Sequence, residues 1–221
     1  MKELSQENNF LYLCLSLIVL LFAASLVQVS SGTWGEDFFS LITLVMLIVS
    51  IKSVYTNLEW RKILYALIVL FVLVSGIAKL FSIPFMPYVS LTILFIFFVG
   101  SFRTAYRQIL FEGKVDGNKI IGSLSLYLLL GLIWTVIYLF IFELDPTAFT
   151  GIESGNWKQN FSQMAYYSFV TLTTLGYGDM LPVNKVAQFF VYMEAIIGVF
   201  YMAIIVSSLI SLRLAALEKK E

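Results

Sequence analysis

Long apolar runs separated by short polar breaks organise the whole chain. They fall at about 10–30, 38–56, 63–82, 86–102, 119–143 and 184–212. Each comes close to the roughly 20 residues that a helix, rising about 1.5 Å per residue, needs to cross the hydrocarbon of a bilayer. Helices are the expected form, because backbone groups in lipid meet no water and must pair within their own segment. The breaks carry turn chemistry: SSGTWGED follows the first run, SIPFMP with Pro84 and Pro87 follows the third, and EGKVDGNK precedes the fifth. The pattern predicts an all-α integral membrane protein with six transmembrane helices.

Residues 144–183 do not fit a plain loop. ELDPTAFTGIESGNW is polar and reads as an exposed turret. FSQMAYYSFVTLTT is apolar and aromatic, yet at about 14 residues it is too short to span, which predicts a re-entrant half-helix. The polar, glycine-rich stretch TLTTLGYGDM at 171–180 overlaps its end. Irregular backbone at membrane depth is tolerated where it is buried in protein or lines an aqueous path, so this stretch is expected to line one.

Composition sharpens the class. With 60% hydrophobic and 13% charged residues and a mean hydropathy of +0.90, the chain has too much apolar surface for a soluble domain. Membrane lipid is the expected surrounding, and a net charge of zero gives no bulk attraction to nucleic acid. Histidine is absent, which removes the commonest metal ligand and the usual near-neutral proton switch. The single cysteine, Cys14, lies in the first apolar run and reads as a packed thiol. No cysteine cluster, nucleotide loop or pair of carboxylates at an active-site spacing points to an enzyme. The first run is long for a signal peptide and has no convincing cleavage site, so it reads as a retained span.

Orientation follows from the basic residues. An amino terminus in the cytoplasm and six alternating spans place all 14 Lys and Arg residues inside except Lys79, Lys158 and Lys185. Both termini are then cytoplasmic in a multi-pass protein of the cell membrane. TLTTLGYGDM faces outward between the fifth and sixth spans.

Within that stretch, Gly176 and Gly178 tolerate left-handed backbone at little cost. Alternating handedness along Thr174, Leu175, Gly176, Tyr177 and Gly178 turns successive carbonyls to one side. Copies of the segment around an axis would stack rings of carbonyl oxygens, which can replace the water shell of a cation. The Thr174 hydroxyl adds the innermost ring. One chain supplies one segment, so several chains are needed. The half-helix aims its partly negative carboxyl end at the axis.

TLTTLGYGD resembles the signature of potassium channels, T-x-T-T-V-G-Y-G-D, and the short helix and flanking spans occur in the family's order. The resemblance implies a homotetramer with a pore helix and a selectivity filter from each subunit, holding K⁺ at Thr174, Leu175, Gly176 and Tyr177 with no other cofactor. It makes Tyr166 and Tyr167 the aromatic cuff around Tyr177, with the Tyr166 hydroxyl bonded to Asp179. It makes Gly198 the inner-helix hinge, fits Pro182 to the turn before the last span, and puts Val199, Met202 and Val206 on the cavity. Leu175 departs from the usual valine, a change that leaves the backbone carbonyl. Val170 stands where some bacterial relatives carry glutamate, so a Glu–Asp pair behind the filter is absent.

Several residues carry two readings. Glu194, an acid inside an apolar span, either bonds the back of the pore helix at Ser168 or Tyr167 or faces the pore as a charge; the bond is favoured. Gly198 is a hinge or a close-packing glycine. Ser207 and Ser208 sit near an inner gate or bond the preceding turn. Asp179 and Glu153 draw cations to the mouth, or, for Glu153 preferentially, are simply solvated. A voltage sensor needs arginines at every third position, each charge worth about 2.3 kcal/mol per 100 mV, and YVSLTILFIFFVGSF has none. Residues 1–102 are therefore expected to form a sensor-like bundle without gating charges. A cytoplasmic linker at 103–118, with Arg103 and Arg107 past the end of the fourth span, leads to the pore domain at 119–212. The tail at 213–221 is too short for a soluble ligand-binding domain. A weakly selective cation channel and a non-conducting membrane scaffold or regulatory subunit are the alternatives.

Overall fold

The computed structural model describes residues 9–29, 33–53, 58–81, 83–111, 117–153, 155–208 and 210–211. The tail at 213–221, linker residues 112–116 and the outermost lysines and arginines of both termini lie outside the described residues. Seven α-helices carry the fold: α1 (Asn9–Val29), α2 (Thr33–Ser53), α3 (Leu58–Leu80), α4 (Met86–Phe111), α5 (Gly117–Leu144), α6 (Trp157–Leu172) and α7 (Lys185–Phe200). Two short strands, β1 (Phe149–Thr150) and β2 (Leu181–Pro182), and a π-helical continuation of α7 over Tyr201–Val206 complete it. α1 to α5, and α7 together with its π-helical continuation, are long and apolar enough to cross a membrane, which makes six candidate spans among the described residues.

Pro87 sits in the first turn of α4, where its missing N–H would have had no partner in the helix. At its far end α4 differs from expectation. It does not stop at residue 102 but continues to Phe111, so Arg103 and Arg107 ride on the helix rather than in a linker. The reason is a buried stripe that persists beneath the polar residues. Ala105 and Ile109 are fully buried four positions apart, while Arg103 and Arg107 take the exposed face.

α5 is the centre of the packing. It buries residues all round, including Leu126, Leu129, Leu132, Val136, Tyr138 and Leu139, as a helix surrounded by others must. α1 lies against α2, α5 and α6 through Leu13, Leu17, Leu20 and Ala24, and α4 lies along α5. α2 packs on α1 and α3, α3 packs on α4, and α1 and α4 carry the contacts with α5 of the same chain. Cys14 is buried within α1.

Hydrogen bonds sort the helix ends into two groups. At one end Lys79 pairs with Asp37 (2.7 Å), the Tyr88 hydroxyl donates to the Glu143 carbonyl (2.8 Å), and Asn156 donates to Glu36 (2.7 Å). At the other, the Phe10 N–H donates to Asn118 Oδ1 (3.2 Å), Ser125 donates to the Phe10 carbonyl (3.2 Å), and Ser50 donates to Ser101 (3.3 Å). Lys79, Lys158 and Lys185 fall in the first group. Lys52, Arg61, Lys62, Arg103, Arg107 and Lys119 fall toward the second.

β1 and β2 pair antiparallel, Phe149 opposite Pro182 and Thr150 opposite Leu181, and tie the turret to the segment entering α7. Asn184 caps α7 by accepting from the Ala187 N–H (2.7 Å) and donates to Asp145 (2.9 Å). Hydrogen bonds from the Thr147 hydroxyl, Asn184 and the Thr147 N–H hold the Asp145 carboxyl below its usual range.

The docking of α6 onto α5 turns on Gly131. A Cβ there would meet the Phe169 ring at 2.4 Å, and the Gly131 carbonyl oxygen lies 2.8 Å from the Ser168 oxygen. Gly131→Val is expected to destabilise the protein by about 1–3 kcal/mol through overpacking, read as a lowered thermal midpoint in detergent.

Candidate functional site

The site is built outward from α6. This helix starts with a capping box: Asn156 accepts from the N–H groups of Lys158 (3.0 Å) and Gln159 (3.2 Å), and Gln159 accepts from the Asn156 N–H (3.2 Å). It ends at Leu172, after which Thr173 to Asp179 lie exposed in a run. The Leu175 and Gly176 N–H groups fold back onto the Val170 carbonyl, at 2.9 and 3.2 Å. Every second residue of the run has a left-handed backbone: φ is +59° at Thr174, +57° at Gly176 and +80° at Gly178. A Cβ added at Gly176 or Gly178 would meet nothing within 4 Å, so the backbone angle and not crowding demands glycine there. Thr174 takes the same conformation with a β-branched side chain, a rare and strained choice.

The two tyrosines of α6 diverge. The Tyr166 hydroxyl donates to Asp179 Oδ2 at 2.7 Å, and its ring stacks on Tyr177 with centroids 6.5 Å apart and planes 10° from parallel. The bond to Asp179 pushes the Tyr166 phenol up to about 12. Tyr167, expected beside Tyr177 in the same cuff, turns within this chain to Tyr138 (5.2 Å) and Phe149 (5.6 Å).

Glu194 has no solvent exposure. One carboxylate oxygen accepts from the Ser168 hydroxyl at 2.6 Å, and the other accepts from the Tyr138 hydroxyl. The structure brings Glu194 to Ser168 rather than to Tyr167, and adds a partner that the sequence did not reveal. Tyr138 hides in the apolar run of α5; a phenol in the middle of a span was the available signal.

Gly198 is a close-approach glycine. A Cβ there would come within 2.1 Å of the Leu172 carbonyl oxygen, where α7 crosses the end of α6. The departure from α-helical geometry lies further along, at Tyr201–Val206, where the Tyr201 hydroxyl donates to the Ser123 carbonyl at 2.5 Å. Val199, Met202 and Thr174 share the wall of an open hollow of about 610 Å³, together with Tyr127. Tyr127, which donates to the Leu172 carbonyl at 3.2 Å, was not evident from sequence. The Val206 side chain lies outside the described residues. Ser207, Ser208 and Glu153 are exposed.

Residues 123–213 match the family model of an ion channel. The match covers most of α5, then α6, the Thr174–Gly178 run and α7, while α1–α4 lie outside it. Together with six candidate spans it places the chain among membrane proteins and supports passive ion conduction through its carboxyl-terminal half. Neither a curated protein nor a solved structure matches the chain.

Glu194 separates two substitutions. Glu194→Gln retains an acceptor for Tyr138 and a polar partner for Ser168, so it is expected to preserve both assembly and conduction. Glu194→Ala leaves both hydroxyls without that partner and is expected to cost about 1–3 kcal/mol, measured as a drop in thermal midpoint that the glutamine variant does not show.

Proposed function

We propose that four copies of this chain form a potassium-selective channel, through which K⁺ moves passively down its gradient. The ion sits in backbone rings at Thr174, Leu175, Gly176 and Tyr177, with Gly178 completing the filter and α6 as the pore helix. The observation that carries the reading is the alternation of left-handed backbone at Thr174, Gly176 and Gly178 in an exposed run at the end of a buried half-helix. Such alternation suits carbonyls stacked along one side, the arrangement that exchanges a cation's water shell for fixed oxygens.

The incompleteness of the single chain supports an assembly. The run from Thr173 to Asp179 is exposed throughout, and Tyr177 remains 67% exposed although Tyr166 stacks on one face. Neighbouring copies around an axis would cover these surfaces. Tyr166 and Asp179 brace the outer part of the filter, and Tyr167 and Glu194 hold α6 from behind. Val199 and Met202 line the cavity. Gly198 lets the inner helix approach the Leu172 carbonyl and serves as its hinge, with the π-helical turn just beyond as a second place for a bend. The channel sits in the cell membrane with the filter outward and both termini cytoplasmic.

Two measurements test this. Purified protein in liposomes should pass K⁺ far faster than Na⁺, and Gly176→Ala, which forces a side chain into left-handed backbone at about 1–2 kcal/mol, should abolish the flux. Equal K⁺ and Na⁺ flux would point instead to a weakly selective cation channel. The conductance–voltage relation should be shallow, because α4 carries no arginine before Arg103. A steep curve demanding several charges per subunit would contradict the absence of a sensor.

A further inference from the structure

The geometry points to Glu36 as a positioning residue for the pore helix, held in α2 and outside the region that matches an ion channel. One carboxylate oxygen of Glu36 accepts from Asn156 Nδ2 at 2.7 Å and from Gln159 Nε2 at 3.0 Å. These are the two side chains that make the capping box of α6. The Asn156 amide oxygen is committed to N–H groups of α6 and that of Gln159 to the N–H of Asn156, and their amino groups are committed to Glu36. A single carboxylate therefore closes the cap from outside, at a helix end whose dipole favours negative charge.

The rest of the same α2 face fits the first turn of α6. Phe39 meets Trp157 edge-on at 6.3 Å and Phe161 at 4.9 Å, and Ser40 accepts from Lys158 Nζ at 3.0 Å. Residues 36, 39 and 40 are neighbours on one helix face, so the contact is a continuous clasp. α6 is a rigid lever of 16 residues, gripped by α2 at one end and continuous with the filter at the other. A bundle without gating charges thereby gains direct purchase on the filter, and movement of α2 in the bilayer is transmitted there through Glu36. The clasp rests on reading residues 174–178 as a filter.

The test compares wild type, Glu36→Ala, Glu36→Gln and Gln159→Leu in planar bilayers, with tetramer assembly checked for each. Wild-type K⁺ over Na⁺ selectivity is measured first, so failure of the filter reading is seen separately. Glu36→Ala is expected to lower open probability at low external K⁺ by roughly tenfold, the scale of one charge-assisted hydrogen bond. Raising external K⁺ should reverse the loss, because ions bound in the rings stabilise the ordered filter by mass action. A destabilised bundle would not respond to K⁺. Glu36→Gln, which keeps an amide oxygen as acceptor, should restore most of the activity. Gln159→Leu should reproduce the defect, and its combination with Glu36→Ala should cost less than the sum of the two single losses. Wild-type open probability in Glu36→Ala, a deficit indifferent to K⁺, or additive losses in the double variant would each overturn the clasp.

Discussion

The carboxylate of Glu194 joins three helices in a place where an unpartnered charge or dipole is costly. It projects from α7, takes the Ser168 hydroxyl of α6 on one oxygen and receives the Tyr138 hydroxyl of α5 on the other. α6 needs such an anchor. It is too short to span and is the least apolar of the helices, so neither lipid nor its own length holds it at depth. Fixing Ser168 fixes the helix, and the exposed backbone that follows inherits that position. Two glycines make the approach possible: Gly131 lets α6 lie on α5, and Gly198 lets α7 cross against the Leu172 carbonyl.

The two ends of α6 are held by different chemistry. Its amino end is satisfied twice over, by its own capping box and by Glu36. Its carboxyl end is left with strained, solvent-facing backbone, stiffened by Tyr166 and Asp179 on the outer side and undercut by the hollow that Val199 and Met202 line. In the proposed channel, a fixed helix with a strained, exposed continuation would keep the oxygens from collapsing freely onto a smaller ion. The strain at Thr174 is then maintained by everything packed behind α6.

Much of this was legible in the sequence, for identifiable reasons. The spans were visible because lipid imposes length and apolarity directly. The glycines of LGYG were visible because left-handed backbone leaves few alternatives. Other features depended on partners far along the chain. Glu36 looks like an ordinary helix-start acid until Asn156, 120 residues away, is placed beside it. Tyr138 is masked by the apolar residues around it. The extension of α4 was hidden because RTAYRQ reads as a polar linker, although Ala105 and Ile109 keep one face buried. Gly198 was visible as a glycine, but its close approach to the Leu172 carbonyl was not. The π-helical turn at Tyr201–Val206 has no sequence signature of its own.

Imaging the assembled protein by cryo-electron microscopy in K⁺ and in Na⁺ tests the filter most directly. Four chains around one axis are expected, with ion density at the level of Thr174 to Tyr177 in K⁺ and with that density lost or redistributed in Na⁺. An assembly without fourfold symmetry, or carbonyls of residues 174–178 turned away from the axis in K⁺, would contradict it.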